Sequence, residues 1–198
     1  MRMKRTLTLG ATLVALASAG ACGSDDAGKG GKDGVGQSKK DALPHADSLR
    51  DIQDFLGTYV DCSALSTDKN DDRLNGTYLD WLSDDPSEAE KRAAAAWGIK
   101  EEGVCGEKWT NSYVVYLPKN MKQFQRNYKT HNADSADGTG KFYVGDNFAV
   151  DFSGGGSGGL ERTGLLNLNC DPSFAPPSGY KKKQALVDGC VLTDFTGS

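Results

Sequence analysis

The placement of cysteines constrains this 198-residue chain more than any other feature: Cys22 stands alone near the start, and Cys62, Cys105, Cys170 and Cys190 follow at wide spacing. Four is the even number that an oxidising compartment converts into two disulfides, and it leaves one thiol over. The residues before Cys22 say where such a compartment comes from. Met1-Arg2-Met3-Lys4-Arg5 is a basic start, and Thr6 to Leu16 is apolar but far shorter than the roughly 20 residues that span a bilayer. Residues 1–21 therefore read as an export signal.

Ala17-Ser18-Ala19-Gly20-Ala21 is a run of small residues ending at Cys22, and here the chain resembles bacterial prolipoproteins, whose lipobox places small residues directly before a cysteine. The resemblance implies cleavage before Cys22 and a thioether-linked diacylglycerol on its sulfur. Beyond this export signal, the tether and the cysteine-bearing body described below are similar to small lipoproteins of actinobacterial type. Ala17-Ser18-Ala19 also fits the A-x-A site of an ordinary secretory signal, which would release a free protein. The odd cysteine decides between the two, because lipidation of Cys22 leaves an even set to pair. Two acyl chains give a stable anchor where one is marginal, so the expected location is the extracytoplasmic face of the cell membrane. Loss of residues 1–21 removes Arg2, Lys4 and Arg5 and no acid, so 20 basic residues face 27 acidic ones, a net charge of −7. That balance disfavours nucleic acid or anionic lipid as a partner.

Residues 22–46 comprise the lipidated cysteine and a stretch rich in glycine, lysine and aspartate with hardly an apolar side chain, which reads as a flexible tether. As a Gly-rich coil it holds the body about 25 to 30 Å from the lipid. The globular domain is expected over residues 47–198. Asp47-Ser48 can cap a helix whose apolar positions Leu49, Ile52, Phe55, Leu56, Tyr59 and Val60 recur at helical spacing up to Cys62. Asp85, Pro86 and Glu88 open a second helix through Ala89 to Trp97, with Gly103 as its stop. Tyr113 to Leu117 is apolar on both faces, as a central strand is, and Met121, Phe124 and Tyr128 form a helical stripe. Phe142 to Val144 and Phe148 to Phe152 flank the turn Gly145-Asp146-Asn147. Strands are expected at Gly164 to Asn169 and Cys190 to Phe195, with a short helix at Tyr180 to Asp188 between them. This succession predicts an α+β fold: a mostly antiparallel sheet of about five strands, helices on one face, stapled by disulfides. Cys62 and Cys105 each follow a predicted helix, and Cys170 and Cys190 flank a proline-rich excursion, so of three connectivities those two pairs are expected.

No motif for chemistry survives inspection. Gly154, Gly156 and Gly159 satisfy G-x-G-x-x-G, but no helix pattern follows to receive a pyrophosphate. Ser157 centres a G-x-S-x-G, yet both histidines, His45 and His131, precede it, against the order of that hydrolase triad. The loop reads as a spacer. Asp68, Asn70 and Asp72 match the first positions of a calcium loop, which Arg73 and Leu79 then break. His131 suits a helix C-terminus, and the pairs Asp84-Asp85 and Glu101-Glu102 are too close in sequence to oppose one another. Lys181-Lys182-Lys183 is a basic run that either lies on a solvated helix face or meets an anionic partner. The expectation is a binding or interaction module without catalytic residues, metal or cofactor, its partner an envelope protein, a wall polymer or a small ligand. The alternative is a small hydrolase that works with Asp and Glu carboxylates.

Overall fold

The computed structural model describes residues 42–74, 87–107, 111–132, 142–152 and 157–196. Among these residues three α-helices and seven strands follow one another as α1 (Leu49–Leu56), α2 (Glu88–Trp97), β1 (Ile99–Glu107), β2 (Asn111–Pro118), α3 (Met121–Asn132), β3 (Phe142–Val144), β4 (Ala149–Phe152), β5 (Leu166–Asn169), β6 (Lys182–Gln184) and β7 (Val191–Thr193). The strands form a single sheet in the order β1-β2-β4-β3-β5-β7-β6, and every neighbouring pair is antiparallel. The α+β antiparallel class is the expected one. The sheet has seven strands rather than five, and its helices do not share a face.

The reason lies in β2. Tyr113, Val115 and Leu117 join α1's Leu49, Ile52, Phe55 and Leu56 in one core, while Val114 and Tyr116 join Trp97 of α2 and Met121, Phe124 and Tyr128 of α3 in another. A strand apolar on both faces needs cover on both, so α1 takes one side of the sheet and α2 and α3 the other. In the second core Phe142 lies edge-on to Tyr116, Phe124 and Tyr128 at centroid separations of 5.6, 5.0 and 5.5 Å.

Local signals explain the element ends. Ser48 Oγ accepts the Asp51 N–H at 3.2 Å and donates to the Asp51 carboxylate at 2.8 Å, a reciprocal cap that starts α1. The helix stops at Leu56, earlier than its apolar spacing predicts, though Tyr59 and Val60 still pack on the core from the following turn. The proposed cap of α2 at Asp85 and Pro86 lies outside the described residues, as do Asp84 and Leu79. Trp97 ends α2, the chain reverses at Gly98 (φ +64°), and Gly103 is no helix stop but sits within β1. Tyr180 to Asp188 is not helical either: Lys182 and Gln184 pair with Thr193 and Val191 of β7. Lysine is a good helix former, but tertiary context readily overrides propensity, and here pairing with β7 beside the Cys170–Cys190 bridge does so. The second bridge joins Cys62, after α1, to Cys105 in β1.

Packing begins before Asp47. Pro44 and Ala46 are buried, Leu43 packs against the second core, and this short arm clasps the turn between β3 and β4. The Asp146 N–H donates to the Pro44 carbonyl at 2.7 Å, the Ala46 N–H donates to the Asn147 side chain at 3.0 Å, and the Asn147 amide donates back to the Ala46 carbonyl at 2.6 Å. Residues 42–46 therefore belong to the body, and the tether reading is too long at that end. The clasp carries a titratable group, His45, whose Nδ1 lies 3.0 Å from Asp146 and whose Nε2 lies 3.3 Å from Asp47. The Asp146 hydrogen bond in particular raises its pKa above 6.5. A raised folded-state pKa means the clasp's contribution is complete below 6.5 and fades as pH rises through the folded value. NMR titration of His45 is expected to give a midpoint above 6.5 that drops in Asp146→Asn; a midpoint unmoved by that change contradicts the contact.

Candidate functional site

The turn after α1, the paired ends of β1 and β2, and the loop before the short 3-10 turn Leu160–Arg162 converge on a cleft of about 520 Å³ that opens to solvent. Its polar lining comes from Asp61, Glu107, Asn111, Tyr113 and Arg162, with Tyr59 beside them. The Cys62–Cys105 bridge sets this assembly, because Asp61 precedes one sulfur-bearing residue and Glu107 follows the other by two. Glu107 and Asn111 then face each other as the last register pair of β1 and β2.

The walls are tied by side chain to backbone bonds. Tyr113 is buried, its hydroxyl donates to the Gly158 carbonyl at 2.5 Å, and burial followed by the Asp61 charge pushes its pKa above the ordinary phenol value. Arg162 donates to the Tyr59 carbonyl at 3.1 Å. Arg73 reaches the carbonyls of Gly106 and Ala64 at 2.9 and 3.1 Å while gripping the Asp71 carboxylate with two nitrogens. That fork holds the Asp71 carboxyl well below the usual carboxylate range. Gly106 takes φ +91°, and a Cβ there would lie 2.3 Å from the Asn111 carbonyl and 3.0 Å from that of Asp61. Gly106→Ala is expected to cost about 2 kcal/mol and to disturb the cleft, because strain and clash act together. Denaturant unfolding checks the first effect and the NMR shifts of Asn111 and Tyr113 the second.

Of the loop read as a spacer, Gly154 and Gly156 lie outside the described residues, and Gly158 lines the cleft. Gly158 and Gly159 take φ +60° and +85° and bring the backbone close to Phe152 and Arg162, so they shape the cleft floor. Ser157 Oγ donates to the Glu161 carboxylate and lies beside the Tyr143 hydroxyl. The serine hydrogen bond draws the Glu161 pKa down, and burial pushes that of Tyr143 up to about 12. A carboxylate of lowered pKa is a poor base, so this chain of donors fixes a loop rather than activating a nucleophile. His45 is held in the arm's clasp, and His131, in the last turn of α3, stacks on Trp97 at 5.4 Å. Of the calcium-like positions, Asp68 accepts the Asn70 N–H at 3.0 Å, and Asp71 between Asn70 and Asp72 belongs to Arg73. Among the described residues no three His, Cys, Asp or Glu side chains are grouped to hold a metal ion, and no helix is long and apolar enough to cross a membrane. Glu101 pairs with Lys100 at 2.9 Å.

None of the cleft residues is marked by a motif. The usable signal was indirect, since pairing Cys62 with Cys105 brings Asp61 and Glu107 to one place. No protein-family model, curated protein or solved structure matches the chain.

Proposed function

We propose that the protein is an exported lipoprotein, anchored through Cys22 at the outer face of the cytoplasmic membrane, whose body is a non-enzymatic binding module. The observation that carries the binding role is the state of the cleft's side chains. Tyr113 and Arg162 of the lining are committed to backbone carbonyls and Arg73, outside it, holds the Gly106 carbonyl, which makes the walls rigid, while Asp61, Glu107 and Asn111 line the cavity with carboxylate and amide groups. Such a lining suits a small ligand carrying amine or hydroxyl donors. The alternative, a hydrolase using Asp61 and Glu107, rests on the presence of both carboxyl groups in one cleft.

Two measurements test the reading. Mass spectrometry of the mature chain is expected to find diacylglycerol on an N-terminal Cys22, and Cys22→Ala to shift the protein out of its normal membrane fraction. A mature chain that begins at Gly20 with a free thiol at Cys22 contradicts the anchor. For the cleft, NMR titration with amino sugars, polyols and short basic peptides should move the signals of Asn111 and Tyr113. The double variant Asp61→Asn, Glu107→Gln should abolish the movement. Breakdown of a titrant in the same samples, lost in that variant, would favour the hydrolase instead.

A further inference from the structure

We infer that the β6 edge of the sheet is a membrane-docking face, which lies down on the anionic phospholipid headgroups of the bilayer that holds Cys22; the inference rests on the lipid-anchor reading for its geometry. Three observations meet there. Lys182 and Lys183 of the outermost strand and Lys181 just before it are all exposed and line a cavity of about 480 Å³. Tyr180 and Leu186, the large hydrophobic side chains left exposed among the described residues at 48 % and 52 %, bracket that strand. Ala42 and Leu43, where the chain from Cys22 enters the body, line the same cavity.

Each observation has an ordinary explanation alone. Lysines on an edge strand keep a second chain from adding to the sheet, and single exposed apolar residues are common. Together they form a pattern that edge protection does not call for: cations flanked by an aromatic and an aliphatic side chain, the combination that settles at a lipid interface. Asp194 stands beside the patch and accepts the Lys181 backbone N–H at 2.7 Å. Beyond the strand a second groove, beside the β6–β7 turn, is lined by Lys122, Arg126 and Lys129 of α3 with Leu186 and Asp188. The turn is fixed to α3, since Gln125 accepts the Leu186 N–H at 2.8 Å and Lys129 donates to the Asp188 carbonyl at 2.7 Å.

Chain geometry selects the membrane as occupant. Nineteen residues separate Cys22 from Ala42, a reach of at most about 65 Å when fully extended and about 25 Å as a Gly-rich coil. The face where that connection enters is thus within reach of the lipid. Three lysines near an anionic surface strengthen association by about a hundred-fold in all. That is weak for a free protein but ample for one whose anchor keeps it at high effective concentration beside the bilayer.

The test uses the mature lipidated protein reconstituted into phosphatidylcholine vesicles with or without phosphatidylglycerol, read by hydrogen exchange over Tyr180 to Leu186. Phosphatidylglycerol is expected to slow exchange there by about three-fold or more, and high salt to reverse it. The triple variant Lys181→Glu, Lys182→Glu, Lys183→Glu keeps a charged edge and is expected to lose the protection while remaining monomeric. Equal exchange in both vesicle types, or protection that survives the triple variant, overturns the proposal. The mass of the same preparation reports the anchor separately: where Cys22 carries no lipid, coupling its thiol to a maleimide lipid supplies the tether, and the same exchange comparison reads the docking face alone.

Discussion

Replacing Cys62 and Cys105 together by alanine is expected to lower stability by about 4 kcal/mol, as the loop-closure estimate gives for a bridge of this span. The two residues lie 43 apart in sequence and are 3 % and 0 % exposed, so the bridge closes a long loop in a buried place. For a body of this size the melting temperature should fall by roughly 10 to 15 °C. The Cys170–Cys190 bridge spans only 20 residues, and its removal should cost about 3 kcal/mol. Guanidinium unfolding of the two double variants checks the order. A larger loss from the shorter bridge would mean that packing around Cys190, not loop closure, dominates. Loss of the longer bridge carries a second consequence, because it also frees Asp61 and Glu107 from their common cleft.

An effect of comparable size is expected from the other side of the sheet. Phe142 is fully buried and meets three aromatic rings edge-on. Phe142→Ala should therefore cost about 3 to 5 kcal/mol, combining lost transfer energy with the cavity left between β3 and α3. Phe142→Leu retains most of the volume and loses chiefly the ring contacts, about 1.5 kcal/mol. Equilibrium unfolding distinguishes them, and a cost below about 1.5 kcal/mol for the alanine variant would show that this core closes around the gap.

What could be read from the sequence depended on burial. Strong apolar patterns marked α1, α3, β2 and the β3–β4 hairpin, because each buries its stripe or both its faces. The sheet's two outermost strands left no such mark. Lys100, Glu101 and Glu102 of β1 and the three residues of β6 are polar or charged, and an edge strand is where such residues are tolerated. The two-faced pattern of Tyr113 to Leu117 already contained the answer on helix placement: one strand apolar on both sides is incompatible with helices on one side only. The cleft was illegible for a different reason. Residues 57–61 meet Glu107, Asn111, Tyr113, Gly158 and Arg162 only through tertiary structure, and no local spacing encodes that.

The arm at Leu43 to Ala46 has a mechanical consequence. Traction applied to the chain ahead of Ala42 meets the clasp on Asp146 and Asn147 before it reaches α1. It is therefore delivered to β3 and β4, the third and fourth strands in from the β1 edge, each with a neighbour on both sides. A pull that entered at an outermost strand would unzip ladder bonds one at a time; here the strain is shared by several ladders at once. The clasp thus acts as a strain relief, like the grip where a cord enters a housing, leaving α1 and the cleft beside it unloaded until the arm itself is torn free.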